Sequence, residues 1–297
     1  MKKFFRNSIS FFLIVLLIQS FLVAVSTQII PEIYKKKYIL SKNRYAEKSD
    51  IFILGSSTTE CAVNEIFGTA NYINISKSAE PLFYTVLKAK SLLADLNLDT
   101  MIIEFNNNSL NTVRWVLDDD RLVHNYSIYF AKLGREDHFF LLTHNPKKAL
   151  KTLFSMSPLQ IFRSHKTIDG HYLYLNRDNL RHPQKGQDFA EKIIPKNYGF
   201  DVENIGLKML MELVDENPKT YFIFTRMPMH SSLKPMNELY YKKCISLIIK
   251  KNNAKYIDFK NTPLNDSLFG DAVHLNHFGA DVFSPIFFDS ISSRHGL

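Results

Sequence analysis

Short, nearly unbroken apolar runs recur along this chain, and most of them end in a polar turn. Asp50 to Leu54, Tyr72 to Ile75, Met101 to Phe105, Thr220 to Phe224 and Lys255 to Phe259 have the length and the β-branched or aromatic content of strands. Between them lie segments with helical spacing. Pro81 to Leu96 places apolar residues at Leu82, Val86, Leu93 and Leu96, with Pro81 suited to a first turn. Val202 to Val214 is a second helix. Asn237 to Ile249 is a third, with Leu239, Ile245, Leu247 and Ile248 as its apolar positions. Strand and helix alternate, and that rhythm predicts an α/β protein with a largely parallel sheet covered by helices.

Two regions break the rhythm. From Asn7 to Pro31 no residue is charged, and Lys2, Lys3 and Arg6 precede the run. At about 1.5 Å per residue such a segment is long enough to cross a bilayer core. Residues 1–31 are therefore expected to be a membrane anchor or a signal. Ala24-Val25-Ser26 would be the cleavage site of a signal peptide, but the apolar run exceeds a usual signal core, which favours an uncleaved anchor. Lys35, Lys36 and Lys37 nearly balance the charges before the segment, so orientation is argued from architecture: one span near the start leaves the rest in the periplasm or outside the cell. Residues 32–49 read as a polar linker and 50–297 as the folded domain. The other break, about 110–200, is rich in aromatics and histidine. It reads as an insertion of helices and loops over the working edge of the sheet.

Composition changes this picture little. The 297 residues suffice for one good-sized domain with appendages, and the formal charge is +8. The basic residues do not cluster with aromatics, which leaves nucleic acid without a motif and favours membrane-proximal or solvated charge. Cys61 and Cys244 are too few for a disulfide framework and lack metal-ligand spacing; buried free thiols are the expected state, with one disulfide the alternative after export. No glycine-rich phosphate loop is present, and no cofactor is implied.

The candidate chemistry lies at the two ends of the α/β pattern. The first strand stops at Gly55, and Ser56, Ser57, Thr58 and Thr59 follow. A buried strand that breaks into such a turn presents the next side chain at the carboxyl edge of the sheet, where open α/β sheets keep their ligands. Ser57 is the candidate nucleophile. A serine hydroxyl needs a base, itself oriented by a third group, and Asp271-Ala272-Val273-His274 offers both. Three residues apart on a helical turn, Asp271 and His274 would share one face. Taken alone, Gly55-Ser56-Ser57 could be a helix N-cap, and Asp271-x-x-His274 a surface helix pair. Arg226 and His230 follow the fourth strand. A surface loop is their default reading, and contact with an anionic substrate the alternative.

Gly55-Ser56-Ser57-Thr58 and Asp271-x-x-His274 resemble the first and last sequence blocks of the SGNH (GDSL-like) hydrolase superfamily. The resemblance covers roughly residues 50–106 and 200–290. It implies a flavodoxin-like three-layer sandwich, with Ser57 as nucleophile, His274 as base and Asp271 as its partner. It further implies an oxyanion hole made by the backbone N–H of Ser57, a second-block backbone N–H and a third-block asparagine. The second block, Asn74 to Ala79, lacks the family's glycine, and Ala79 is the matching position. In the third block, counting from Glu104, Asn108 matches best and Asn106 second. The usual aspartate before the nucleophile is Ser56. The Gly-Ser-Ser form is most similar to a membrane-anchored branch found beside membrane-bound O-acyltransferases. That similarity implies a serine esterase or O-acyltransferase acting on acyl esters of a cell-surface polysaccharide or glycan, with a membrane-bound O-acyltransferase as possible partner. The altered blocks leave an alternative: a degenerate SGNH-like domain that binds glycan or docks on the acyltransferase without turnover.

Overall fold

In the computed structural model the chain divides into two compact units, Met1–Ala46 with Leu117–Ile168, and Glu47–Val116 with Asp169–Leu297. The residues that can be described are 51–69, 72–78, 80, 82–110, 143, 205–233 and 238–292, together with eight helical, exposed positions between Ser10 and Phe21. Among the described residues no helix is long and apolar enough to cross a membrane. Most of the expected anchor at 7–31, the linker at 32–49 and all but Thr143 of the segment 111–204 lie outside the described residues.

Among the described residues, the second unit holds a five-stranded sheet. β1 is Ile51–Leu54, β2 Tyr72–Asn74, β3 Thr100–Glu104, β4 Tyr221–Arg226 and β5 Ala254–Asp258. Every pairing is parallel, and the order is β2-β1-β3-β4-β5. This is the flavodoxin-like, doubly wound order, whose ligand crevice opens where the winding reverses, between β1 and β3. The expected α/β architecture is thus the observed one, and its strand order is that implied by the SGNH-like resemblance.

Parallel crossovers are right-handed, so the reversal sends the helices to opposite faces. α1, Ser57–Ala62, leaves β1 toward β2. α2 (Leu82–Asp95), α3 (Ile205–Glu216) and α4 (Glu238–Ile248) belong to crossovers running the other way. α5, His277–Ser292, follows β5 and returns to the face of α1, where Phe283, Phe287, Phe288 and Ile291 pack on Ile51, Ile53, Ile102 and Ile223. On the other face Phe105 lies stacked on Tyr241 of α4 and edge-on to Phe224. Full burial of each large apolar side chain contributes roughly 1.5–3 kcal/mol, which is how strands this short are held.

The helix α4 is where the predicted spacing departs from the structure. Leu239 and Leu247 are exposed, and Tyr241, Cys244 and Ile248 form the inward face. The buried tyrosine repays its polar end: its hydroxyl donates to the Phe105 carbonyl at 2.6 Å and meets the Tyr256 hydroxyl at 2.7 Å. Both cysteines are free and buried.

Candidate active site

The turn after β1 is shaped by two features. Ser56 is the N-cap of α1, its Oγ facing the Thr58 amide, so the capping reading of this stretch is correct for Ser56. Ser57 is then the first helical residue. Its Oγ lies 2.7 Å from Nε2 of His274. On the far side of that ring, Nδ1 lies 2.8 Å from Oδ2 and 2.9 Å from Oδ1 of Asp271. An ionised carboxylate only accepts, so Nδ1 carries the proton, and Nε2 of the neutral ring is left to accept from Ser57. The three residues named from the sequence therefore meet in one hydrogen-bonded line.

The Asp271–His274 segment is a loop, not the helical turn expected. Asp271 Oδ1 accepts the backbone amides of Val273 and His274, each at 2.9 Å, and this folds the chain back on itself. Gly270 N–H donates to the His274 carbonyl at 2.8 Å, and Phe269 bridges Leu275 in antiparallel fashion. Asp271 thus fixes both the ring and the backbone that carries it. Burial alone would push its carboxyl upward, but the His274 side chain and the two amides outweigh burial and hold it below the ordinary aspartate value.

The loop is clamped from both sides. The His230 amide donates to the Ala272 carbonyl at 3.1 Å. Asn276 caps α5, accepting from the Gly279 amide at 2.9 Å while its Nδ2 donates to the Ser267 carbonyl at 2.7 Å. Gly279 lets the helix sit this close, since a β-carbon there would lie 2.1 Å from the Leu268 carbonyl oxygen. His277 opens the helix, its ring 3.8 Å from that of its neighbour Phe278.

Arg226 and His230 are not surface residues. Arg226 is fully buried at the end of β4 and engages Glu238 fork to fork, both contacts 3.0 Å, with its guanidinium 4.7 Å over the Tyr241 ring. Asp258 lies 3.7 Å from the same guanidinium, so the Arg226 charge is taken up by structural ion pairs. His230 is buried too. Its Nδ1 accepts from the Ser232 amide at 3.2 Å, and its Nε2 lies 3.1 Å from Asp266, out of line for a hydrogen bond.

The second block comes beside the Ser57 turn. Lys77 N–H donates to the Gly55 carbonyl at 3.0 Å, and the Ser78 hydroxyl donates to Glu60 on α1 at 2.5 Å. Burial pushes the Glu60 carboxyl above its ordinary value. Ala79 lies outside the described residues.

In the third block Asn106 is buried at the end of β3. Its Nδ2 donates to Glu104, and its Oδ1 accepts from the Ser109 amide at 2.9 Å. Asn108 falls in a 3₁₀ turn, Asn107–Leu110, and its side chain lies outside the described residues.

Glu104 entered the sequence reading only as the start of the third block, without a role of its own. It accepts from the Ser56 amide at 2.6 Å, from the Ser56 hydroxyl at 3.0 Å and from Thr59 Oγ1 at 2.7 Å, and also from Thr58 Oγ1 and Asn106 Nδ2. A carboxylate that closes an otherwise apolar buried strand was the available signal.

Cys61 is inert by environment. Burial first, then the nearby carboxylates of Glu60, Asp271 and Glu104, push its thiol up to about 12.

No protein family and no curated protein matches the sequence. Solved structures align with the chain at low identity. One, assigned as an acylhydrolase of Bacteroides fragilis, aligns with a TM-score of 0.41 at 11% identity over 85% of this chain and 93% of its own. Another, assigned as a platelet-activating factor of Streptococcus pneumoniae, aligns with a TM-score of 0.42 at 11% identity over 94% and 98%. A gut microbial diltiazem-metabolizing enzyme aligns with a TM-score of 0.39 at 10% identity over 82% of this chain and 47% of its own.

Proposed function

We propose that the protein is a serine esterase or O-acyltransferase that works through Ser57, His274 and Asp271. The observation that carries this reading is the unbroken line from Ser57 Oγ through the His274 ring to the Asp271 carboxylate. In the first step Ser57 Oγ attacks the acyl carbon and its proton passes to Nε2. The imidazolium so formed is stabilised by Asp271 and returns the proton to the departing alcohol, leaving an acyl-serine. Water or a second hydroxyl then attacks that ester, with His274 taking its proton and passing it to Ser57 Oγ as the bond from the acyl carbon to Oγ breaks. Water gives hydrolysis; a sugar hydroxyl gives transfer.

The charge that develops on the acyl oxygen needs donors. The Ser57 amide and an asparagine side chain at the end of β3 are the proposed ones, with the Ala79 amide completing the set. Asn106 is proposed for this role because its amide donates to Glu104 Oε1, which also accepts from Thr58, the residue after the nucleophile. Asn108 remains the rival by sequence counting.

An acyl ester of a cell-surface glycan as substrate, an external location behind an anchor at residues 7–31, and a membrane-bound O-acyltransferase as partner are supported by the resemblance of the Gly-Ser-Ser block and by the uncharged amino-terminal run. The experiment is fluorophosphonate labelling of the full chain. Labelling that disappears in Ser57→Ala supports the enzyme. A chain that stays unlabelled returns the reading to a glycan-binding or docking domain. Acetylated polysaccharide, incubated with and without an acceptor glycan, separates release of acetate from its transfer.

A further inference from the structure

We propose that Glu104 is the positioning residue that locks the Ser57 turn to the Asn106 amide, so that nucleophile and oxyanion donor are held as one piece. The proposal rests on the reading of Ser57 and Asn106 given above and adds a residue which that reading does not use.

Ser57 reaches His274 by its side chain, but the placement of its backbone is decided by its neighbours. Ser56 on one side and Thr58 and Thr59 on the other all donate to the Glu104 carboxylate. Glu104 ends β3, the strand paired with β1, so the turn is tied to a second strand as well as to its own. The approach is close. A β-carbon on residue 55 would lie 2.5 Å from Glu104 Oε2 and 2.6 Å from Thr59 Oγ1, which is why the turn begins with glycine. The other end of the same carboxylate receives Asn106 Nδ2. Ser109 holds the Asn106 oxygen from behind, with its amide at 2.9 Å and its hydroxyl at 3.2 Å. The asparagine amide therefore has one orientation, with its NH2 group toward the Ser57 turn. The Ser56 amide and the Asn106 NH2 group can only donate, and the hydroxyls of Ser56, Thr58 and Thr59 can donate as well, so a carboxylate with two accepting oxygens satisfies all of them at once. A glutamine of the same volume offers one acceptor oxygen and places its own NH2 group against either the Ser56 amide or the Asn106 amide. It would loosen one arm or the other. Misplacing a reacting group by about 1 Å can cost on the order of 10²-fold in rate, so this linkage acts on turnover more than on binding.

The test compares the full chain with Glu104→Gln and Glu104→Asp, using p-nitrophenyl acetate hydrolysis, the rate of fluorophosphonate labelling and thermal unfolding. For Glu104→Gln the expected result is a kcat per folded molecule lowered by about 10–100-fold with KM within about twofold of the parent, and slower labelling to match. Glu104→Asp keeps the charge and should recover part of the kcat. A merely structural role would lower the folded fraction and leave kcat per folded molecule alone. That result overturns the proposal, as does an aspartate variant no better than the glutamine one. Should Glu104→Gln fail to fold, Thr58→Val removes a single donor and is read in the same way: a lowered kcat at constant KM supports the linkage, and an unchanged kcat overturns it. A parent chain that no fluorophosphonate labels overturns the nucleophile reading and this proposal with it. A labelled parent with an unaffected Glu104→Gln overturns this proposal alone.

Discussion

Ser57 Oγ and His274 Nε2 lie 2.7 Å apart although 217 positions separate the two residues in the chain. Contact of this kind needs the loop after β5 to return to the edge of the sheet where β1 ends. Ser57→Ala and His274→Ala are each expected to lower ester turnover by on the order of 10⁴-fold or more, with the double variant little worse than either, because such groups act as a unit. Steady-state kinetics on the three variants checks this; additive losses would contradict it.

Asn106→Ala is expected to lower kcat by about 10²–10³-fold, the usual loss for one oxyanion donor. Asn108→Ala should change it far less. The two variants measured side by side decide the register of the third block, and the opposite ranking would return the role to Asn108.

Cys61 should resist alkylation in the native state. Its thiol is pushed up to about 12 by burial, so almost none is thiolate near neutral pH. Iodoacetamide at neutral pH should label Cys61 only after denaturant is added. Rapid native labelling would show that the residue is accessible.

Glu238→Ala removes the forked partner of the buried Arg226 and leaves Asp258, 3.7 Å away, as its remaining anion; with Glu238 itself partly exposed, a loss of about 1–2 kcal/mol is expected. The pH dependence has a definite sign. The hydrogen-bonded Arg226 holds the Glu238 carboxyl below its ordinary value. A depressed folded value gives stabilisation that is complete above the unfolded carboxyl value of about 4.3 and is lost as pH falls through the folded value. Denaturant midpoints of parent and variant should therefore differ most near neutral pH and converge in acid.

Much of the sheet was legible because strands buried on both faces are written as continuous apolar runs, as in Ile51–Leu54 and Phe222–Phe224. Ser57, Asp271 and His274 were legible as types at the ends of that pattern. Their local conformation was not. Asp271 turns its oxygen onto the amides two and three residues ahead, and that local bond replaces a helical turn with a loop. The helix α5 carries apolar residues on several sides and Pro285 within it, which hides its period. In α4 the inward face is chosen by the stacking of Tyr241 on Phe105, a tertiary contact that spacing does not encode. Glu104 was hidden for the same reason: its partners belong to the neighbouring strand's turn.

The two halves of the site hang on unequal supports. β1 is an interior strand, paired on both sides by β2 and β3, whereas β5 is an edge strand with its residues Lys255 to Asp258 only partly covered. Edges open before interiors. His274 sits in the long loop that follows this edge strand, and Ser57 in the turn that follows an interior one. Mild heat should silence the protein while most of its sheet persists, and amide exchange at β5 should keep pace with the loss of activity while exchange at β1 lags behind.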